Sequence, residues 1–138
     1  MTADDSDELR FAILRLGRRI RAERAREDVT DTQLSMLFAL WKSGPQTLGS
    51  LSEHERITPP SANRTVNSLV EAGLVTRTGS PDDGRKVLIT ATESGIEIAR
   101  ETKRRRTAWL NTRLAKLTAE ERRTIEAAAP ILRELADS

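Results

Sequence analysis

"TPPSANRTVNSLVEAGLV", from Thr58 to Val75, decides how the rest of the chain is read. Two prolines follow a threonine, and short polar side chains crowd the positions behind them. Thr58 suits an N-cap, and Pro59 suits the first helical position, where an N–H would have no intrahelical partner. A helix therefore opens here. Ala62, Val66, Leu69 and Val70 recur with a period of about 3.6 residues and form its core side, and Gly73 supplies its C-terminal stop. At about 100° of rotation per residue, Arg64 points almost directly away from that stripe, flanked by Pro60, Ser61, Asn67, Ser68 and Glu71. This polar outer face is what a function must explain.

Immediately upstream, "TLGSLSEHERI" predicts a short helix capped by Thr47, and the brief link "RIT" joins it to the quoted one, the sequence appearance of a helix-turn-helix. Before that, "TDTQLSMLFALWKSGP" has Thr30 and Gln33 at capping-box spacing and stops at Gly44-Pro45. Its Leu34, Leu37, Phe38 and Leu40 predict the best-buried element. A first helix is expected from Asp7 to Arg26, behind a frayed acidic tail of residues 1–6. Leu9, Ile13, Leu16 and Ile20 form one narrow stripe on it among many arginines, which predicts packing against a partner.

Downstream the period changes. Leu74–Thr78 and Lys86–Thr90 are β-prone runs around a polar tip, a β-hairpin. Thr92 caps a long helix to about Leu117, apolar at Ile96, Ala99, Ala108, Trp109, Leu110 and Leu114 and basic at "KRRR", 103–106. Thr118 and Glu121 form another capping box and open a last helix through Ile125, Ala128, Ala129, Leu132 and Leu135. Pro130 predicts a kink or restart of that helix near Ala129.

A chain of 138 residues fits a single domain, 1–138, with or without dimerisation arms. The 23 Lys and Arg against 21 Asp and Glu leave +2, so basic character is local rather than global. Absence of cysteine excludes disulfides, zinc-thiolate sites and thiol sensing, and the single histidine excludes a multi-His metal site within one chain. No apolar run reaches the roughly 20 residues of a membrane span, and "MTADDSDE" is acidic where a secretion signal would be basic; a cytoplasmic protein without a membrane partner is expected. His54 reads as exposed, "KRRR" as a solvated face, and Glu93, Glu120 and Glu121 as complements to helix dipoles. No nucleophile stands with a base, and neither a phosphate-binding glycine loop nor a carboxylate pair is visible. The chain does not read as an enzyme, and no cofactor or metal is called for.

The order helix, helix-turn-helix, hairpin, long helix, together with two motifs, resembles the MarR family of transcriptional regulators. "DDGRKVLITATESG" is similar to the family's wing signature, with Asp83, Arg85, Val87 to Ile89, Thr92 and Gly95 in the matching places. "PPSANRTVNSLVEAGLV" resembles its recognition helix, and the likeness covers nearly the whole length. The fold class so implied is mainly α with a small antiparallel β-hairpin, a winged helix-turn-helix. Residues 7–28 and 92–137 would be dimerisation helices and residues 31–91 the DNA-binding lobe of a homodimer on a pseudo-palindromic operator, typically as a repressor.

The chemistry of the residues is compatible with double-stranded DNA as the partner. Ser61, Asn63, Arg64 and Thr65, with Pro60 and Asn67 beside them, sit near a helix N-terminus where base edges come closest. Arg64 could donate twice to guanine, and Asn63 or Asn67 could pair with adenine. In the wing, Asp83 would orient Arg85 for the minor groove, with Lys86 and Arg77 on phosphates; Pro81-Asp82-Asp83-Gly84 is equally a good turn. The resemblance also implies a small aromatic-acid effector at the junction of the lobe and the dimerisation helices. Phe11, Leu16, Phe38, Trp41 and Trp109 could line that junction, with first-helix arginines on the carboxylate, or could simply be core. The rival to an operator-binding regulator is a winged-helix module for protein or RNA contact.

Overall fold

The structure, a computed structural model, describes residues 1–79 and 86–138. In chain order it contains α1 (Ala3–Ala22), α2 (Asp31–Ser43), α3 (Leu48–Glu55), α4 (Pro59–Glu71), β1 (Val75–Gly79), β2 (Val87–Ala91), α5 (Glu93–Leu114) and α6 (Ala119–Asp137). Each helix begins after a threonine whose hydroxyl accepts a backbone N–H from the third helical position: Thr2, Thr30, Thr47, Thr58, Thr92 and Thr118. At Thr2 this overturns the expected frayed tail. Asp5 returns the bond to the Thr2 N–H, and the resulting capping box starts α1 at Ala3 rather than Asp7.

The other end of α1 also differs from expectation, stopping at Ala22 rather than Arg26. Glu23 turns extended, and the freed carbonyls of Arg21 and Glu23 accept from the guanidinium of Arg106 on α5. α5 stops at Leu114, short of Leu117, because Lys116 and Leu117 bond three residues back and tighten the turn. α6 does not restart at Pro130: it runs from Ala119 to Asp137. Proline there removes one donor to Glu126, whose carbonyl lies on an exposed stretch where water can serve it.

The core is built from Leu34, Met36, Leu37 and Leu40 of α2, Leu51 of α3, Ala62, Val66 and Leu69 of α4, Leu74, Val75 and Ile89 of the hairpin region, and Ile98 and Ala99 of α5. α2 is central, as its composition predicts. Two expected core residues sit at the margin: Phe38 is half-buried and Val70 is 38 % exposed. β1 and β2 pair antiparallel from Val75↔Ala91 to Gly79↔Val87, one residue later in each strand than the sequence suggests. Gln46 adds a rung the sequence does not reveal, exchanging both backbone bonds with Ile89 at 3.0 and 2.7 Å. A single bridging residue has no periodicity to betray it.

Thr92 and Gly95 make the corner that fixes the hairpin to the lobe. The Thr92 hydroxyl donates to the Gly73 carbonyl at 2.7 Å and accepts the Gly95 N–H, while the Thr92 N–H donates to Leu74 O at 3.0 Å. Gly95 is buried so closely against that strand entry that a Cβ would collide with the Leu74 carbonyl oxygen. The threonine–glycine spacing thus has a structural cause.

Candidate nucleic-acid interface

The turn between α3 and α4 aims the second helix. Arg56 closes α3 in the left-handed region at φ 54°, with its N–H on Glu53 O. Ser52, buried beneath the turn, donates its hydroxyl to Ile57 O at 2.6 Å, and the Ile57 N–H returns to Ser52 O at 3.1 Å. This clasp leaves only Ile57 and Thr58 before Pro59 starts α4. Ala62, Val66 and Leu69 are fully buried, so the helix is held from below, and Pro60, Asn63, Arg64 and Asn67 are exposed. Arg64 donates to Ser61 Oγ at 3.0 Å, which orients the guanidinium along its own helix. Thr65 is half-buried and turns its hydroxyl back to Ser61 O at 3.2 Å, so its proton is used within the helix.

Of the expected wing residues, Arg77 and Lys86 are described, both exposed; Asp83 and Arg85 lie outside the described residues. Arg77 does more than project towards solvent. It stands opposite Ile89 in the ladder and donates to Asn63 Oδ1 at 2.9 Å, joining the hairpin to the first turns of α4. A contact across 14 residues has no local sequence signal.

The five aromatic and aliphatic residues expected at the lobe junction are not brought to one place. Phe38 and Trp41 pack with ring centroids 6.5 Å apart, and with Lys42 and Lys103 they line a cavity of about 450 Å³. Lys103 lies 5.6 Å and Arg100 6.0 Å from the Trp41 centroid. Trp109 is instead enclosed by Arg19 at 5.2 Å and Arg113 at 3.8 Å, while Phe11 is exposed beneath Arg10 and Leu16 is half exposed. The cations at the cavity thus belong to α2 and α5, not to the first helix.

A model of the MarR family matches residues 29–87, the stretch from the start of the lobe to the wing. The HTH-type transcriptional regulator Mb0904 of Mycobacterium bovis is 39 % identical over 132 residues, covering 96 % of this chain and 92 % of that protein. ML2140 of Mycobacterium leprae, another HTH-type transcriptional regulator, is 37 % identical over the same shares. Among solved structures, a MarR family protein from Bacillus stearothermophilus superposes with a TM-score of 0.85 at 24 % identity, covering 99 % of this chain and 95 % of that one. The chain belongs to the MarR family. It is therefore a DNA-binding transcriptional regulator and not an enzyme. Among the described residues, no helix is long and apolar enough to cross a membrane.

Some working parts of this MarR chain have no visible sequence signal. Thr102, fully buried in α5, accepts the Ala25 N–H at 3.1 Å. Arg105 donates to Arg24 O at 3.0 Å, and Arg106 to Glu23 O at 3.0 Å. Half of the "KRRR" run is therefore not a free solvated face but an anchor for the α1–α2 linker. Burial lowers the pKa of Arg106, the nearby Arg24 and Arg21 adding to the effect against Asp31. Arg24 in turn donates to Val29 O and pairs with Asp31, at the entrance to α2.

Proposed function

We propose that this MarR regulator is a homodimeric repressor whose two α4 helices enter successive major grooves of a pseudo-palindromic operator, and that a small aromatic acid releases it. The observation that carries the DNA reading is the α4 face itself: Asn63, Arg64 and Asn67 are exposed beside a helix N-terminus whose dipole favours phosphate, on a helix buried along its opposite side. Residues 31–91 then act as the DNA-binding lobe. Asp83 and Arg85 are assigned to the flanking minor groove and Lys86 to the backbone. Residues 7–28 and 92–137, with α1 extended back to Ala3, are assigned to dimerisation. This is supported by α1 and α6 having no buried residue in the single chain while carrying Leu9, Ile13, Leu16, Ile125, Ile131, Leu132 and Leu135 exposed.

For the effector, support comes from the Phe38–Trp41 cavity, whose volume of about 450 Å³ lies within the usual range for small-molecule sites. Lys42 and Lys103 line it beside the two rings, a pairing of positive charge and aromatic surface that suits an aromatic carboxylate. Release follows if the acid binds better to a dimer whose recognition helices are mis-spaced, by no more than its differential affinity for the two states. The test is a gel shift on duplex DNA flanking the protein's own gene, with scrambled competitor, repeated in millimolar salicylate. A competitor-resistant complex that dissolves with salicylate while tryptophan fluorescence changes is the expected result. A complex lost equally to scrambled DNA overturns the operator reading, and salicylate binding without loss of DNA overturns the switch.

A further inference from the structure

The hydrogen bond between Arg77 and Asn63 has a consequence for which base is read. Val75 is buried against the lobe, and Arg77, two residues along the same strand, leaves from the same face of the pleated hairpin towards α4. Its guanidinium, which carries only donors, meets the Asn63 side chain at 2.9 Å. The amide partner in that bond must be the oxygen, because the NH₂ end has nothing to accept with. The carboxamide is thereby set in one of its two orientations, with the oxygen turned back to β1 and the two N–H groups on the other side. A carboxamide reads adenine by accepting from N6–H while donating to N7, which needs oxygen and nitrogen presented together to one base edge. With its oxygen held by Arg77, Asn63 offers donors.

We propose that Arg77 is a positioning residue that presents Asn63 as a donor, so that the base it faces is guanine, whose N7 and O6 both accept, or thymine through O4, while adenine, whose N7 accepts but whose neighbouring N6–H would oppose the donors, is disfavoured. The inference rests on α4 reading the major groove. Arg64 strengthens the same character: with one guanidinium nitrogen on Ser61 Oγ, its remaining N–H groups add further donors one residue away. The exposed centre of α4 is then a donor array matched to the O6 and N7 acceptors of guanine and the O4 of thymine.

The experiment is selection from a duplex pool with a randomised half-site, using the full-length chain and the variants Asn63→Ala, Asn63→Asp, Arg77→Ala and Arg77→Lys. Wild type should disfavour adenine by about tenfold at one position per half-site, and Asn63→Ala should flatten that position alone. Asn63→Asp keeps the bond to Arg77 but offers only acceptors, and should move the position towards cytosine, whose N4 donates. Arg77→Ala frees the carboxamide and should admit adenine there while preferences set by Arg64 persist; Arg77→Lys should do so more weakly. A uniform loss of affinity in Arg77→Ala, with every base preference intact, would make Arg77 a phosphate contact and overturn the inference while leaving groove reading by α4 standing. Adenine preferred by wild type at the Asn63-dependent position would overturn it as well. A wild-type pool without any selected sequence would defeat the groove reading itself, and this inference with it.

Discussion

At the scale of single residues, the fold depends on a few positions where only one side chain fits. Gly95 is the sharpest: its α-carbon faces the Leu74 carbonyl with no room for a methyl group, and backbone cannot swing aside as a side chain can. Gly95→Ala should therefore cost on the order of 1–3 kcal/mol in denaturant unfolding, as overpacking does. Gly49→Ala is the control, since its nearest neighbour is 4.0 Å away and alanine gains up to about 1 kcal/mol in a helix. Equal effects at both sites would show that the corner yields. Arg56 presents the opposite opportunity. A non-glycine residue in the left-handed region costs about 1–2 kcal/mol, against about 0.5–1 kcal/mol for the freedom glycine brings to the unfolded chain. Arg56→Gly should raise the unfolding midpoint modestly, and a lowered midpoint would mean that the arginine side chain contributes more than its backbone strain removes.

At the scale of elements, α5 ties the core to the α1–α2 linker. Its N-terminal part lies in the core through Ile98 and Ala99, and its middle holds the α1–α2 linker through Thr102, Arg105 and Arg106. Thr102→Val removes the acceptor for the Ala25 N–H and should cost about 1–3 kcal/mol, with faster amide exchange confined to the linker. Unchanged exchange at Ala25 would count against the anchor. Glu101 organises this surface: hydrogen bonds from Arg104 and Arg105 hold its carboxyl at about 2, below its ordinary value of 4.5. A depressed carboxylate stabilises the fold fully above its unfolded pKa and loses that contribution as pH falls through the folded one, here between about 4.5 and 2. A carbon-detected NMR titration of Glu101 should find its midpoint near 2 and see it rise in Arg104→Ala; a wild-type midpoint at 4.5 would dissolve the pair. These elements also show what a sequence discloses. The capping threonines from Thr30 onward and the α4 stripe are legible because their signals are local, and the Thr2 box, equally local, is masked by the acidic run around it, whereas the Gln46 rung, the Thr102 acceptor and the Arg77–Asn63 bond depend on tertiary approach. Phe38 was legible as apolar but not as half-exposed, because periodicity reports a face and not how completely a neighbour covers it.

At the scale of the whole molecule, the lobe is closed around a core, while α1 and α6 have no buried residue and carry exposed apolar side chains along their length. A second copy covering those side chains would also set the distance between two α4 helices, so assembly and operator spacing become one property. Ile13→Glu with Leu16→Glu should sediment as a monomer and lose tight binding to a full palindrome while retaining weak binding to a half-site. A stable dimer in that variant would place the interface elsewhere. Base-edge reading by α4 is decided by competition between the operator and a scrambled duplex of equal length and composition, at one fixed salt concentration, for wild type and Arg64→Ala. Wild type should favour the operator by about a thousandfold or more, and Arg64→Ala should narrow that preference by the roughly 1–3 kcal/mol of one base contact per half-site. A wild-type protein that binds both duplexes equally, or an Arg64→Ala variant that weakens on both by the same factor, would contradict it.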